Sequence, residues 1–180
     1  MMSTRRKILL SVGVSAAAGV AGCVSTLNSP DTSPPNANEC PDEPQVPAIE
    51  GGTTEQEVPE IPPSADSLTE DDVVNYVETY EYVYAWRRNT RRGVLREFHL
   101  DRTADPVWSG EDGVFCEFDT LAAHGRYEAD DGEEYYFDLA PYAASYLVTD
   151  DAVWRAETDR ADRPPEPPDP KEDGKILECF

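Results

Sequence analysis

Lysine and histidine are scarce in this sequence of 180 residues. Beyond residue 7 the lysines are Lys171 and Lys175, and the two histidines, His99 and His124, lie far apart in the chain. No CxxC, HxxxH or HExxH pattern occurs, so the closely spaced ligands of a zinc site are missing and no metal or other cofactor is predicted. The shortage of positive charge also argues against nucleic acid as a partner, because binding it depends on neutralising phosphates with a basic surface.

Acidic residues dominate the composition. The chain has 37 acidic and 15 basic residues, a net charge of −22 and an isoelectric point near 4.2. Repulsion among these negative charges opposes compaction of the chain in dilute buffer. At about 1 M salt the Debye length falls to ~3 Å, and the repulsion is screened. Beyond residue 7 most basic residues are arginines, whose guanidinium is more weakly hydrated than ammonium. The composition is therefore typical of a protein that works in concentrated salt.

The sequence contains no apolar run long enough to span a bilayer. Its longest candidate, residues 8–20, has 13 residues rich in Ser, Gly and Ala, whereas a spanning helix needs about 20 apolar residues. Arg5 and Arg6 precede this stretch, and small residues lead to Cys23 behind it. The three regions predict a removable signal peptide over residues 1–22.

The two ends of this leader carry recognisable motifs. Arg5-Arg6 resembles a twin-arginine export signal, and Val20-Ala21-Gly22-Cys23 is similar to a lipobox. Together with the acidic composition, they resemble exported lipoproteins of extremely halophilic archaea. The resemblance implies cleavage before Cys23, lipid attached to its sulfur and anchorage on the outer face of the cell membrane. It carries no catalytic residue.

Proline marks the boundaries of a single predicted domain. Residues 24–66 hold nine of the 16 prolines and show no apolar periodicity, which predicts a disordered, lipidated tether over residues 23–66. Extended at ~3.1 Å per residue, such a tether would reach up to about 130 Å from the membrane. The globular domain is predicted over residues 67–158, and a second disordered Pro-rich segment forms the tail over residues 159–180.

Helical periodicity opens the domain. Thr69 precedes three acidic residues as in a capping box, and Val73, Tyr76, Val77, Tyr80, Val83 and Tyr84 then recur at helical spacing. We predict one amphipathic helix from about residue 70 to residue 91, ending before Gly93.

The residues after the helix alternate with a period near two. Strands are predicted over 94–100, 114–120, 122–129, 134–139, 143–149 and 152–157, with hairpin turns at Asp131-Gly132 and Asp150-Asp151. This pattern predicts an α+β fold in which the helix packs on a curved, mostly antiparallel sheet, similar in outline to cystatin-like or nuclear-transport-factor-like folds. The helix is expected to bury Val77 and Tyr80 against four aromatic residues: Phe118, Tyr135, Phe137 and Trp154.

Three cysteines remain once Cys23 is assigned to lipid. A bridge between Cys40 and Cys179 is preferred, because both lie in extended polar segments outside the cell, where disulfides persist. Cys116 alternates with apolar residues and is expected to be a small buried side chain, although pairings that include it stay open.

Five arginines form a positive cluster on this acidic chain: Arg87, Arg88, Arg91, Arg92 and Arg96. Their simplest role is to offset the helix dipole and pair with neighbouring acids. The alternative is a dock for an acidic or sulfated surface glycan or an anionic lipid headgroup, with Trp86 and Trp108 stacking on a sugar ring.

The sequence leaves three functions open. The leading one is a non-enzymatic surface domain, anchored to the membrane through Cys23, that binds an envelope protein or glycan. The second is an accessory protein that binds a small molecule on the concave side of the sheet. The third is a small hydrolase or isomerase, in which His99 or His124 would line a pocket beside a carboxylate or Cys116.

Overall fold

The computed structural model describes residues 31–36, 38–49, 57–63, 68–90, 94–159 and 168–180. Arg5, Arg6 and Cys23 lie outside these described residues, as do Arg91 and Arg92. Within them the chain forms one helix and seven strands: α1 (Glu70–Asn89), β1 (Val94–Asp101), β2 (Asp105–Gly110), β3 (Gly113–Glu128), β4 (Glu134–Asp138), β5 (Tyr142–Val148), β6 (Ala152–Asp159) and β7 (Lys175–Cys179).

The predicted α+β architecture is confirmed. The strands form a curled sheet with the order β1-β3-β5-β6-β7, while β2 and β4 also pair with β3, and each described pairing is antiparallel. The helix α1 packs against β1, β2 and β3 on the inner side of this curled sheet. We call that side of the sheet the concave face. The opposite side is the outer face. No helix in the described part of the chain combines the length and the apolar content that crossing a membrane requires.

The helix begins where the sequence predicts. The Thr69 side chain accepts a hydrogen bond from the backbone N–H of Asp72, which satisfies one free donor of the first turn. At the other end the Thr90 hydroxyl donates to the carbonyl of Arg87 at 2.7 Å, and the helix ends at Asn89. Ten of its 20 residues are buried, because the curled sheet surrounds the helix on more than one side.

Strand β3 organises the sheet. The sequence predicts two strands over 114–120 and 122–129, but the structure has one strand of 16 residues with a bulge between Phe118 and Leu121. The bulge shifts the alternation by one residue and bends the strand, so that one half pairs with β2 and β5 and the other with β1 and β4. The break in the pattern therefore marks a bend and not a strand end.

Strands β2 and β7 were not predicted. Strand β2 contains Pro106 and is mostly exposed, as expected for an edge strand. Strand β7 pairs with β6 and lies inside the segment assigned to the tail, so the sheet extends past the predicted boundary at residue 158. Its five residues follow a proline-rich stretch, and so short a pattern is a weak sequence signal.

The core follows the prediction except at two aromatic residues. Val77, Tyr80, Phe118 and Phe137 lie in one buried cluster on the concave face. Trp154 lies instead on the outer face, because its neighbour Val153 takes the inward position on the strand. Tyr135 is 42% exposed and stacks on Tyr127, with ring centroids 5.6 Å apart.

Parts of the predicted tether and tail pack on the sheet. The Gln45 backbone N–H donates to the carbonyl of Leu177 at 2.7 Å, and Val46 and Ile61 contact the core cluster. The Ser145 hydroxyl donates to the carbonyl of Pro168. The composition predicted disorder here, but scattered apolar side chains suffice to dock these segments once a covalent link holds them near the sheet.

That link is a disulfide between Cys40 and Cys179. The two Cα atoms are 5.7 Å apart, and the bridged residues are separated by 139 positions. Cys116 is free and buried, as the alternation around it predicts. The bridge ties the N-terminal segment to β7 at the end of the sheet.

Candidate functional site

A buried ion pair joins α1 to the sheet. Glu81 and Arg155 are 0% and 2% exposed, and Arg155 Nε and Nη2 each donate to the Glu81 carboxylate at 2.9 Å. The hydroxyls of Tyr142 and Tyr146 donate to the same carboxylate at 2.7 and 2.5 Å. Arg155 Nη1 lies 2.8 Å from a carboxylate oxygen of Glu157. No sequence pattern singles out any of these five residues.

The surroundings of this pair fix the protonation of Tyr142, Tyr146 and Arg155. Burial, followed by the charge of Glu81, raises the pKa of the Tyr142 and Tyr146 hydroxyls. Burial opposes the charge on Arg155, but the Glu81 carboxylate outweighs it and raises the pKa of Arg155. Both tyrosines therefore stay protonated donors and Arg155 stays charged. Because the carboxylate and the guanidinium already satisfy each other, the network fits a structural role better than proton transfer.

The structure separates Cys116 from the histidines. Cys116 lies on the concave face of β3, where burial and then the charges of nearby acids raise the pKa of its thiol to about 12. His124 projects from the outer face of the same strand, since it lies one residue beyond the inward-facing Ala123. A thiol that stays protonated and faces away from both histidines does not form a Cys-His catalytic pair.

Two of the described arginines of the positive cluster, Arg88 and Arg96, contact acids on different strands. Arg88 Nη1 donates to both carboxylate oxygens of Glu157 on β6 at 3.0 and 3.1 Å, and Arg96 pairs with Glu128 on β3. Arg87 Nε is buried without a hydrogen-bond partner among the described residues. Trp86 is 1% exposed and offers no stacking surface. These placements favour the simpler role of dipole compensation and ion pairing.

The outer face of β1, β3 and β4 brings polar residues from distant positions into two rows. Strand register aligns His99, His124 and Asp138 in one row. The next row includes Glu97, Arg126 and Tyr136. Residues directly opposite each other on antiparallel strands have Cβ atoms about 5 Å apart, so each row forms a continuous surface. We call these six residues the outer-face site.

The two histidines stack on each other within this site. Their ring centroids are 5.1 Å apart and their planes differ by 21°. His99 Nε2 lies 2.8 Å from Glu97 Oε1, and the His99 side chain is 54% exposed. The hydrogen bond with His99, followed by that with Arg126, lowers the pKa of the Glu97 carboxyl. Glu97 is therefore an anion that holds one nitrogen of His99.

Arg126 and Tyr136 form the other half of the site. Arg126 Nε donates to Glu97 Oε2 at 2.8 Å, and its Nη1 donates to Glu134 at 3.3 Å. The guanidinium lies 5.9 Å from the centroid of the Tyr136 ring, and Tyr136 is 80% exposed. A cavity of about 220 Å³ is lined by residues of both rows, among them His99, His124 and Tyr136.

Gly125 lets these strands approach each other beneath the site. On the concave face, Phe98 and Phe137 pair with Gly125 from either side, and their rings stack with centroids 6.4 Å apart. A Cβ atom at Gly125 would lie 2.1 Å from the Glu97 carbonyl oxygen and 3.0 Å from the Phe137 ring. The glycine thus fixes the spacing of the strands that carry the two histidines.

The sequence offered only part of the signal for this site. The sequence does not make His99 and His124 neighbours, because it does not give the register between their strands. Alternating polar positions at 97, 99, 124 and 126 indicate that each pair shares one face of its strand. Pairing the two predicted strands on either side of the Asp131-Gly132 turn then places Tyr136 opposite Arg126 on the same face.

The fold and the site together define a small α+β domain with a filled concave face and a polar, aromatic outer face. In the ranges that the structure describes, no group of three or more His, Cys, Asp or Glu side chains is arranged to hold a metal ion. Comparison with family models, with curated proteins and with solved structures finds no match for this chain.

Proposed function

We propose that this chain is an exported domain, anchored by lipid on Cys23 to the outer face of the cell membrane, that binds another envelope protein through the outer-face site. It does so in concentrated salt and without catalysing a reaction. The signal-like residues Arg5 and Arg6, the small residues before Cys23 and the excess of acidic residues support the location.

The exposed ring of Tyr136 carries the binding proposal. Tyrosine and arginine are enriched where protein interfaces gain most of their energy, and Tyr136 exposes 80% of its surface beside Arg126. Most other aromatic side chains described in α1 and the strands are buried or half-buried. A large ring left in water on a rigid strand has little packing role, which supports a role in recognition.

Paired charges favour a protein over an acidic glycan as the partner. An anionic glycan needs cations that are free to bind it, but Arg126 contacts Glu97 and Glu134, and Arg96 contacts Glu128. The outer face thus alternates positive and negative charge across a few ångströms. Such a pattern sets the register of a complementary protein surface.

The disulfide shortens the tether of the proposed anchor. Because Cys40 is bonded to β7, the chain available between lipid and domain runs from residue 24 to residue 40 and not to residue 66. At ~3.1 Å per residue, this segment spans at most about 50 Å. The domain would then bind partners close to the membrane.

The helix α1 fills the concave side on which the sequence led us to expect a small molecule, so that placement is wrong. A second cavity supports a small-molecule alternative elsewhere on the domain. It has about 490 Å³, lies on the outer face of β6 and β7, and is lined by Trp154, Lys171 and Lys175. The Lys171 ammonium lies 4.6 Å from the Trp154 ring centroid and donates to the Ser33 carbonyl at 2.6 Å. Quenching of tryptophan fluorescence by small carboxylates, absent in Trp154→Phe, would favour this alternative.

Crosslinking in intact cells tests the proposed function. A photoreactive amino acid replaces Tyr136 in one strain and Tyr135 in a matched strain, since Tyr135 is on the same strand but faces the other way. We expect a crosslinked envelope protein from position 136 and much less from position 135. Equal crosslinking at the two positions, or none at 136, would contradict the proposal.

Mass spectrometry of the native product tests the anchor separately. We expect a mature chain that begins at Cys23 and carries a diacylglycerol group, and we expect Cys23→Ser to leave the membrane fraction. A native product that retains its initiator methionine and lacks lipid would overturn the proposed location.

A further inference from the structure

The fold places the two histidines of this chain directly opposite each other on neighbouring strands. His99 and His124 are register partners on β1 and β3, their ring centroids are 5.1 Å apart, and both are exposed on the outer face. Both side chains are exposed, so a rotation of the His124 ring would bring one of its nitrogens toward the His99 ring. Two nitrogens bound at about 2.0–2.1 Å to one ion lie roughly 3 Å apart, a spacing that opposed side chains on antiparallel strands can reach.

Glu97 prepares one of these rings for metal binding. Its carboxylate is 2.8 Å from His99 Nε2, and Arg126 holds its other oxygen at 2.8 Å. An anionic carboxylate accepts a hydrogen bond, so in the neutral ring Nε2 carries the proton and Nδ1 keeps a free lone pair. A histidine that donates one N–H to a carboxylate while its other nitrogen faces a metal is the usual arrangement around protein metal ions.

The charges around the pair favour a cation. Asp138 is the register partner of His124 in the same row, and the whole chain carries a net charge of −22. The positive charge of Arg126 is balanced by its contacts with Glu97 and Glu134. Direct coordination also suits concentrated salt, because screening weakens long-range attraction but not a metal–nitrogen bond.

We propose that the outer-face site binds a divalent transition-metal ion of the class that prefers imidazole, such as Cu²⁺, Ni²⁺ or Zn²⁺, with His99 and His124 as its two protein ligands. Water fills the remaining positions, since no third ligand is arranged among the described residues. Glu97 is a positioning residue that acts through His99. The inference rests on the proposed function in one respect: a side chain of the bound envelope protein would replace a water and complete the coordination.

Titration of the purified full chain with Cu²⁺ in concentrated KCl, followed by calorimetry and electron paramagnetic resonance, tests the site. We expect one tightly bound ion with two nitrogen ligands. His99→Gln and His124→Gln should each weaken binding at least about tenfold, and the double variant should lose the nitrogen signature. Both residues are exposed, so these variants are expected to fold, which near-ultraviolet circular dichroism checks.

Two carboxylate variants distinguish the positioning of His99 by Glu97 from a general effect of negative charge on metal binding. Glu97→Gln should weaken Cu²⁺ binding by about tenfold and change the resonance parameters of the bound ion, since the basicity of His99 falls. Glu133→Gln removes an exposed carboxylate from the hairpin between β3 and β4, and we expect that variant to bind Cu²⁺ as the native domain does. Unchanged affinity and an unchanged spectrum in the double histidine variant would overturn the inference.

The crosslinking strain with the photoreactive group at position 136 distinguishes the two proposals. If the purified domain binds no ion while crosslinking persists, the metal inference fails alone. If the domain binds Cu²⁺ as expected but no partner is captured, the proposed function fails and the metal site stands. Loss of the crosslink on chelation, with recovery on adding back Zn²⁺, would support both.

Discussion

Arg155 on β6 and Glu81 on α1 are joined by two hydrogen bonds of 2.9 Å inside the core. The residues lie 74 positions apart in the chain, so the pair fixes how the helix sits in the curl of the sheet. A buried ion pair is a poor source of net stability, because removing both charges from water costs about as much as their attraction returns. It does, however, penalise any packing in which the two groups fail to meet.

Breaking this pair from one side should destabilise the domain strongly. Arg155→Met leaves the Glu81 carboxylate buried without its cation, and we expect the free energy of unfolding to fall by about 3–5 kcal/mol. The double variant Glu81→Gln with Arg155→Met removes both charges and keeps an oxygen for the two tyrosines. Denaturant unfolding in concentrated salt should show the double variant to be more stable than Arg155→Met, and the opposite order would contradict this account.

Removing the disulfide should release the N-terminal segment and lower stability. Because Cys40 and Cys179 are separated by 139 positions, the chain-entropy model gives a loss of up to about 5 kcal/mol for Cys40→Ser with Cys179→Ser. Limited proteolysis should then cut near residues 41–49 first. Cys116→Ala is the matched control, since this cysteine is unpaired. A reductant should lower the stability of the Cys116→Ala variant as much as that of the native chain, but it should leave the stability of the double serine variant unchanged.

Substitution of Gly125 tests the close approach of strands beneath the outer-face site. Gly125→Ala forces a methyl group against the Glu97 carbonyl and the Phe137 ring, and we expect the free energy of unfolding to fall by about 1–3 kcal/mol. Gly132→Ala provides a comparison of a different kind, because its Cβ meets nothing within 4 Å and only its positive φ of 80° opposes the change. Thermal unfolding should show a lower melting temperature for both variants. The NMR resonances of the two histidines should be displaced in Gly125→Ala alone.

Cys116 should make stability depend on alkaline pH. Burial raises the pKa of its thiol from 9.0 to about 12, so between these values the unfolded chain releases a proton that the folded chain retains. The stability conferred by the buried thiol is therefore complete below pH 9 and is lost as the pH rises toward 12. The stability difference between the native chain and Cys116→Ala should shrink across this range, and a constant difference would refute the assignment.

The same burial makes Cys116 unreactive in the folded state. At pH 8 the native thiol stays protonated and covered by α1, so alkylation should be slow and should accelerate to the rate of a free thiol in denaturant. Rapid labelling of the folded domain would show that this part of the core opens.

Local signals in the sequence determined the helix and most of the strands. Thr69 and the acids after it mark a helix start through contacts within one turn, and Gly132 marks a hairpin because its φ is positive. The alternation around Cys116 is also a local signal and predicts its burial, since side chains alternate between the two faces of a strand through strand geometry alone. The predicted signal peptide and the charge excess likewise rest on the sequence itself.

Only the tertiary structure decided what those elements bring together. The bulge at Phe118 and Leu121 turned two predicted strands into one bent strand, and β7 became part of the sheet only through its pairing with β6. The partner of Glu81 and the neighbour of His99 both depend on register between segments far apart in the chain. A sequence pattern reports which face a residue takes within its own element, whereas the residue across from it is set by the packing of the whole domain.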